Sequence, residues 1–197
     1  MKMKWGVTLA IGVLMVLGGW FFSKRPARSV TFKLDDGVMA CGFTTAPDGP
    51  QGAGTEINLR HVELTLQAQG RVVFSGLVER VDCYRDPKGR RGFPGGDAIL
   101  VALPDEQLAT TVARWSRIWP QLGASQQDLG MLDRWASEVT ETERAGRNSR
   151  TVWLQHTYSI PGTNIGIYVQ SIPTSAESPL IYGSHFTVFW EEPDAQP

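Results

Sequence analysis

The chain has 197 residues and a formal charge of −1, with 19 Lys+Arg against 20 Asp+Glu. All five charges ahead of Ser29 are basic (Lys2, Lys4, Lys24, Arg25 and Arg28), so the rest carries 14 cations against 20 anions, a net of −6. So acidic a body argues against nucleic acid or an anionic lipid surface as its partner, and its length suits one domain with one sizeable core.

Residues 5–22 read WGVTLAIGVLMVLGGWFF, a run without a charge. As a helix it would rise about 27 Å, close to the hydrocarbon thickness of a bilayer. Trp5 stands at one end and Trp20, Phe21 and Phe22 at the other, where aromatic rings prefer the two interfaces. A cleaved signal peptide would share the basic start and the apolar run. It would also need a small-x-small cleavage site, and Val16-Leu17-Gly18 is the one tolerable candidate. The run is therefore read as an uncleaved anchor in contact with the lipid bilayer. Its flanking cations nearly tie on the positive-inside rule. The short head before the run resembles an export signal, which places the N-terminus inside and residues 30–197 outside. Residues 1–29 form anchor and link, and 30–197 one globular domain in the periplasm or an equivalent space, tethered to the inner membrane by a single pass.

Residues 30–34 and 38–43 read as two short strands joined by Asp35-Asp36-Gly37. Residues 45–55 are rich in Gly and Pro and read as a loop. In residues 56–68, Val62, Leu64 and Leu66 alternate with Glu63, Thr65 and Gln67, as in a half-buried strand. Gln69-Gly70 then turns into residues 71–84, a long strand or one broken at Gly76. Residues 98–103 are a short apolar strand. Pro104 is read as opening a helix with Asp105 and Glu106 in its first turn and a buried face of Leu108, Val112, Trp115 and Trp119; Pro120 closes it. A second helix covers 126–137. Residues 138–150 are read as entering a hairpin at 145–148, with strands over 151–160, 164–172 and 180–190. The acidic 191–197 is a frayed tail. The expected fold class is α+β, a mainly antiparallel sheet with a helical hairpin, preceded by one N-terminal transmembrane helix.

Cys41 and Cys83 are the two cysteines. They lie in strand-like contexts and are expected to form a disulfide outside the cytosol; the alternative is two buried thiols. Five tryptophans follow the anchor (Trp115, Trp119, Trp135, Trp153 and Trp190), read chiefly as core fillers, with one or two at a binding surface as the sharper alternative.

No Walker A, HExxH, CxxC, GxSxG or EF-hand pattern occurs in the chain, so no catalytic residue, metal ligand or cofactor is assigned. His61, His156 and His185 sit in separate strands. Ser184 and His185 are adjacent, so one regular strand would point them to opposite faces. Residues 85–96 form a glycine-rich basic loop. Its Arg85, Lys88, Arg90, Arg91 and Phe93 are the candidate contacts for a protein partner, because cations stand out on an acidic body.

Three functions compete. The leading expectation is an envelope binding protein acting through protein contacts, of the inhibitor or immunity type or an assembly factor. The second is a small-molecule or cell-wall-fragment binder with a tryptophan-lined pocket. The third is a hydrolase whose site is assembled from distant residues, which a histidine clustered with Asp, Glu or Ser would favour.

Overall fold

A computed structural model describes residues 28–41, 54–86, 96–146, 148–175 and 179–190. The expected membrane span at 5–22, most of the loops at 45–55 and 85–96, and the tail lie outside the described residues, as do the side chains of Cys41 and Arg85.

The sheet is built from β1 (Arg28–Lys33), β2 (Gly54–Ala68), β3 (Arg71–Asp86), β4 (Gly96–Ala102), β5 (Glu106–Gln107), β6 (Leu154–Ser159), β7 (Ile165–Pro173) and β8 (Ile181–Trp190). Two helices, α1 (Leu108–Gln121) and α2 (Gln126–Arg144), connect β5 to the last three strands. The strand order is β1-β2-β3-β4-β8-β7-β6, with β5 paired to β8. β1 runs parallel to β2, and the other described pairs are antiparallel. The fold is thus α+β with a mixed, mostly antiparallel sheet.

Three expectations are corrected. Residues 38–41 do not begin a second short strand: Leu34–Cys41 is a 3-10 segment kinked at Gly37 (φ 59°), and 42–43 lie outside the described residues. Asp35 does not serve a local hairpin; its carboxylate accepts from the backbone N–H of Gln69, at 2.9 and 2.8 Å for its two oxygens. Pro104 does not open α1, because Glu106 and Gln107 first pair with Tyr182 and Ile181 of β8. Nor do residues 138–150 enter a hairpin. α2 continues to Arg144, carried by the stripe Leu132, Trp135 and Val139, all buried at helical spacing.

The hairpin expected between β2 and β3 is present. Its two-residue turn has φ 51° at Gln69 and 68° at Gly70, the left-handed values that match strand twist. Of the two forms expected for residues 71–84, the structure shows the continuous one, β3 running unbroken from Arg71 to Asp86. Gly76 pairs regularly with Leu64, whereas His61 and Glu79 drop out of the ladder between Val62↔Val78 and Arg60↔Arg80. His61 has φ 50°, a conformation a non-glycine residue adopts only in special places. At this level the buried positions change parity. Val62, Leu64, Leu66, Ala68, Phe74 and Val78 are even-numbered; beyond the break Val81 and Cys83 take over.

The break lets the outer half of the hairpin fold back over the sheet. In a flat sheet of this register the β2–β3 and β6–β7 turns would lie at opposite ends. Instead Gln69 Nε2 donates to the Gly162 carbonyl at 2.9 Å. Phe74 meets Phe186 edge-on at 5.2 Å between ring centres, and Trp190 Nε1 donates to the Leu34 carbonyl at 2.9 Å.

The helices cover the rest of the same inner face. Trp119 packs on His156 and Tyr158, and Trp135 stands perpendicular to Tyr182. Of the expected α1 face, Trp115 and Trp119 are fully buried while Leu108 and Val112 are partly so; Thr111, Ile118 and Leu122 complete it. Burying one such indole contributes roughly 1.5–3 kcal/mol or more, which makes α1 the main clamp on the sheet.

Candidate binding surface

Strand alternation determines what the opposite, outer face displays. Register places two rows of side chains across it. One runs Asn58–Asp82–Leu100–Thr187–Tyr168–Thr157, the other Arg60–Arg80–Ala102–His185–Gln170–Gln155. Both helices pack on the inner face, so these rows form the outward side of the central sheet.

The outer rows hold a buried charge. Asp82 is 2% exposed, and an ionised carboxylate at that depth needs charge and hydrogen-bond partners. Arg80 Nε forms an off-line ion pair with Asp82 Oδ2 at 2.7 Å, and Asn58 Nδ2 donates to Oδ1 at 2.6 Å. Arg80 stands two residues before Asp82, hence on the same face. His185 lies beyond Ala102 on the same row, with the Tyr168 ring 6.2 Å away. Burial, aided by the Arg80 charge, holds its imidazole below the ordinary histidine range. Burial likewise raises Tyr168 above the usual phenol range, against a hydrogen bond from Gln170.

A second polar cluster sits at the inner rim, where Ser125 caps α2. Its side chain accepts from the Asp128 N–H, and Asp128 Oδ2 accepts from the Ser125 N–H at 2.6 Å, a capping box closed by aspartate. Asp128 Oδ1 lies 2.6 Å from His156 Nε2. Burial raises the Asp128 pKa, but bonds from Ser125 and His156 outweigh it and hold the carboxyl below its usual range. Burial, and secondarily the Asp128 charge, pushes Tyr158 well above the phenol range. The Ser125 hydroxyl donates to the carboxylate at 2.6 Å. The order is therefore serine–aspartate–histidine, which gives the serine no base. The cluster can pin α2 to β6 and can polarise His156.

The histidines do not converge. His61 pairs with Glu79 at the hairpin break, His156 joins the capping cluster, and His185 lies on the outer face. Among the described residues no group of three or more His, Cys, Asp or Glu could hold a metal. Ser184 and His185 do face opposite ways: Ser184 Oγ lies 2.7 Å from Ser171 Oγ in the core. Of the tryptophans, Trp115, Trp119 and Trp135 are buried, Trp190 is half-buried and Trp153 is 52% exposed.

Of the expected partner loop, Lys88, Arg90, Arg91 and Phe93 lie outside the described residues, and Arg85 is placed only as backbone at the end of β3, opposite Gly54 and Asp97. Cys83 is buried in β3 beside Ile99, and it is not a free thiol. Of the outer-face residues, only His185 figured in the sequence expectations; Asn58, Arg60, Arg80 and Asp82 did not. Their one signal was the Arg80-x-Asp82 spacing inside an apolar strand, which puts opposite charges on one face. No family model, curated protein or solved structure matches the chain.

Proposed function

We propose that the chain is a membrane-anchored binding protein of the cell envelope that acts through protein–protein contacts. In this reading residues 5–22 cross the inner membrane once and 30–197 form a periplasmic domain. An inhibitor of the immunity type or an assembly factor needs a rigid surface and no reaction centre. The observation that carries the reading is the outer sheet face. A buried carboxylate there holds Asn58 and lies against Arg80 on a strand framework, and the expected contact loop with Arg85, Lys88, Arg90, Arg91 and Phe93 joins two strands of that framework in sequence, β3 and β4. Charged and aromatic groups on a stiff scaffold suit a specific interface.

A photo-crosslinking residue at Gln170, on the outer face, tests this in the intact membrane protein against one at Ser137, on the exposed side of α2. A discrete crosslinked protein from 170 and none from 137 supports the reading. Equal or absent crosslinking at both positions removes it. Alanine at Lys88, Arg90 and Arg91 together should lower the yield and its salt sensitivity if the loop shares the contact.

The Asp128–His156 pair favours a second reading, a hydrolase of cell-wall fragments with His156 as general base. Hydrolysis of such fragments by the purified protein that vanishes in His156→Gln would establish it. For the tryptophan-lined binder, Trp115, Trp119 and Trp135 are in the core, which leaves Trp153 and Trp190 as its candidate residues.

A further inference from the structure

We propose that Arg60 and Arg80 form a receptor for a carboxylate carried by an acidic segment of the partner protein, held by the cross-strand arginine pair at the start of the row that continues over Ala102 to His185. This rests on the binding-protein reading above and names the chemistry its surface recognises.

Two observations converge on it. Arg60 and Arg80 are direct cross-strand partners. Like charges at that position destabilise a sheet, and an anion between them reverses the sign. The second is the use made of Asp82. It is nearly inaccessible, and it engages Arg80 through the Nε edge. Among the described residues no partner takes the Arg80 Nη atoms, and Arg60 has no ion pair. The Nε edge of the guanidinium thus lies against Asp82 as an ion pair without a hydrogen bond, while its terminal nitrogens remain, the pair that binds a carboxylate in a fork. A carboxylate buried behind an arginine also restricts its rotamers before a ligand arrives, which lowers the ordering cost of binding.

Ala102 supplies the space. It stands between Arg80 and His185 in the row, so two strand spacings, about 9–10 Å, separate the flanking backbones with one methyl on the floor. His185 and Tyr168 form the far wall.

The test uses the full chain in detergent with hexaglutamate as probe, hexalysine as control and inorganic phosphate as a second anion. The readout is the NMR signals of the Arg80 side-chain N–H and the His185 ring. Hexaglutamate should shift both and hexalysine neither. Arg60→Gln, an exposed change that should leave folding intact, should weaken hexaglutamate binding by roughly three- to tenfold. Arg80→Gln should abolish the shifts, and Asp82→Asn should weaken them by freeing the guanidinium. Shifts with phosphate but not with hexaglutamate would overturn the acidic-segment assignment. No shift with either anion, or equal binding by Arg60→Gln, would overturn the receptor. Persisting crosslinks from position 170 in Arg60→Gln, alongside lost peptide binding, would also overturn it as the partner's contact while sparing the binding-protein reading. Loss of all site-selective crosslinking in the unmodified chain would count against that broader reading instead.

Discussion

Trp115 Nε1 donates to Ser171 Oγ at 2.7 Å inside the core, and Ser171 Oγ in turn lies 2.7 Å from Ser184 Oγ. One indole thus fills the space under α1 and ties the helix to two strands. Trp115→Ala should cost about 3–5 kcal/mol in urea unfolding, through lost burial and a residual cavity. Trp115→Phe keeps most of the apolar contact and should cost about 1–3 kcal/mol for the bond it removes.

His185 should remain neutral to lower pH than a free histidine, because burial and the nearby Arg80 both oppose its charging. Asp82 and Tyr168 are the other titratable groups on its side of the sheet. A base with a depressed folded pKa gives stability that is complete above the unfolded value of about 6.5 and lost as pH falls through the folded value. Stability measured by denaturant should therefore decline below about pH 6.5, and His185→Gln should flatten that decline. A ring-proton titration with its midpoint at or above 6.5 would refute the placement.

Asp128 should act in more acidic solution. Its folded pKa is lowered, because bonds from Ser125 and His156 prevail over burial. The stabilisation is present above the unfolded value of about 3.9 and lost as pH falls through the lower folded one. Asp128→Asn should cost about 1 kcal/mol at neutral pH through the weakened cap, and should remove this part of the acid transition in a pH series followed by circular dichroism.

The strand pattern of Val62, Leu64 and Leu66 and the Gln69-Gly70 turn were readable because alternation and turn chemistry are local. The end of α2 was not, since its polar last turns carry Val139 as their one fully buried residue. The segment after β1 was misread because Asp35 serves a backbone group 34 positions away. The outer-face site was legible only as charges within a strand. That Asp82 is buried and Arg60 faces Arg80 depends on register, and register is fixed by packing across the whole sheet.

Gly166 pairs with Phe189, and a Cβ there would overlap the phenyl ring. Gly166→Ala should therefore destabilise by about 1–3 kcal/mol, an overpacking cost. Shrinking the ring in Gly166→Ala/Phe189→Leu should recover part of it. Additive losses in that double-mutant cycle would show that ring and glycine do not touch.

Cys83 is buried and not a free thiol, and we propose Cys41, the other cysteine of the chain, as its partner. Non-reducing peptide mapping of protein purified without reductant should yield one linked peptide containing both. Cys83→Ala with Cys41→Ala should lower stability by about 2–5 kcal/mol. Two alkylatable thiols in the native protein would refute the bridge.

The bond from Trp190 to the Leu34 carbonyl spans 156 positions, and the one from Gln69 to Gly162 spans 93. Both hold the folded-over hairpin in place. During synthesis the β2–β3 hairpin can form early, but it has nothing to close upon until the last strand has emerged. Contacts of such separation slow folding, because the loop entropy is lost before they return any stabilisation. A nascent chain stopped short of β8 would display the inner faces of Leu64, Leu66 and Phe74 to solvent, so the interval before the C-terminus is complete is when this protein most needs shielding from aggregation.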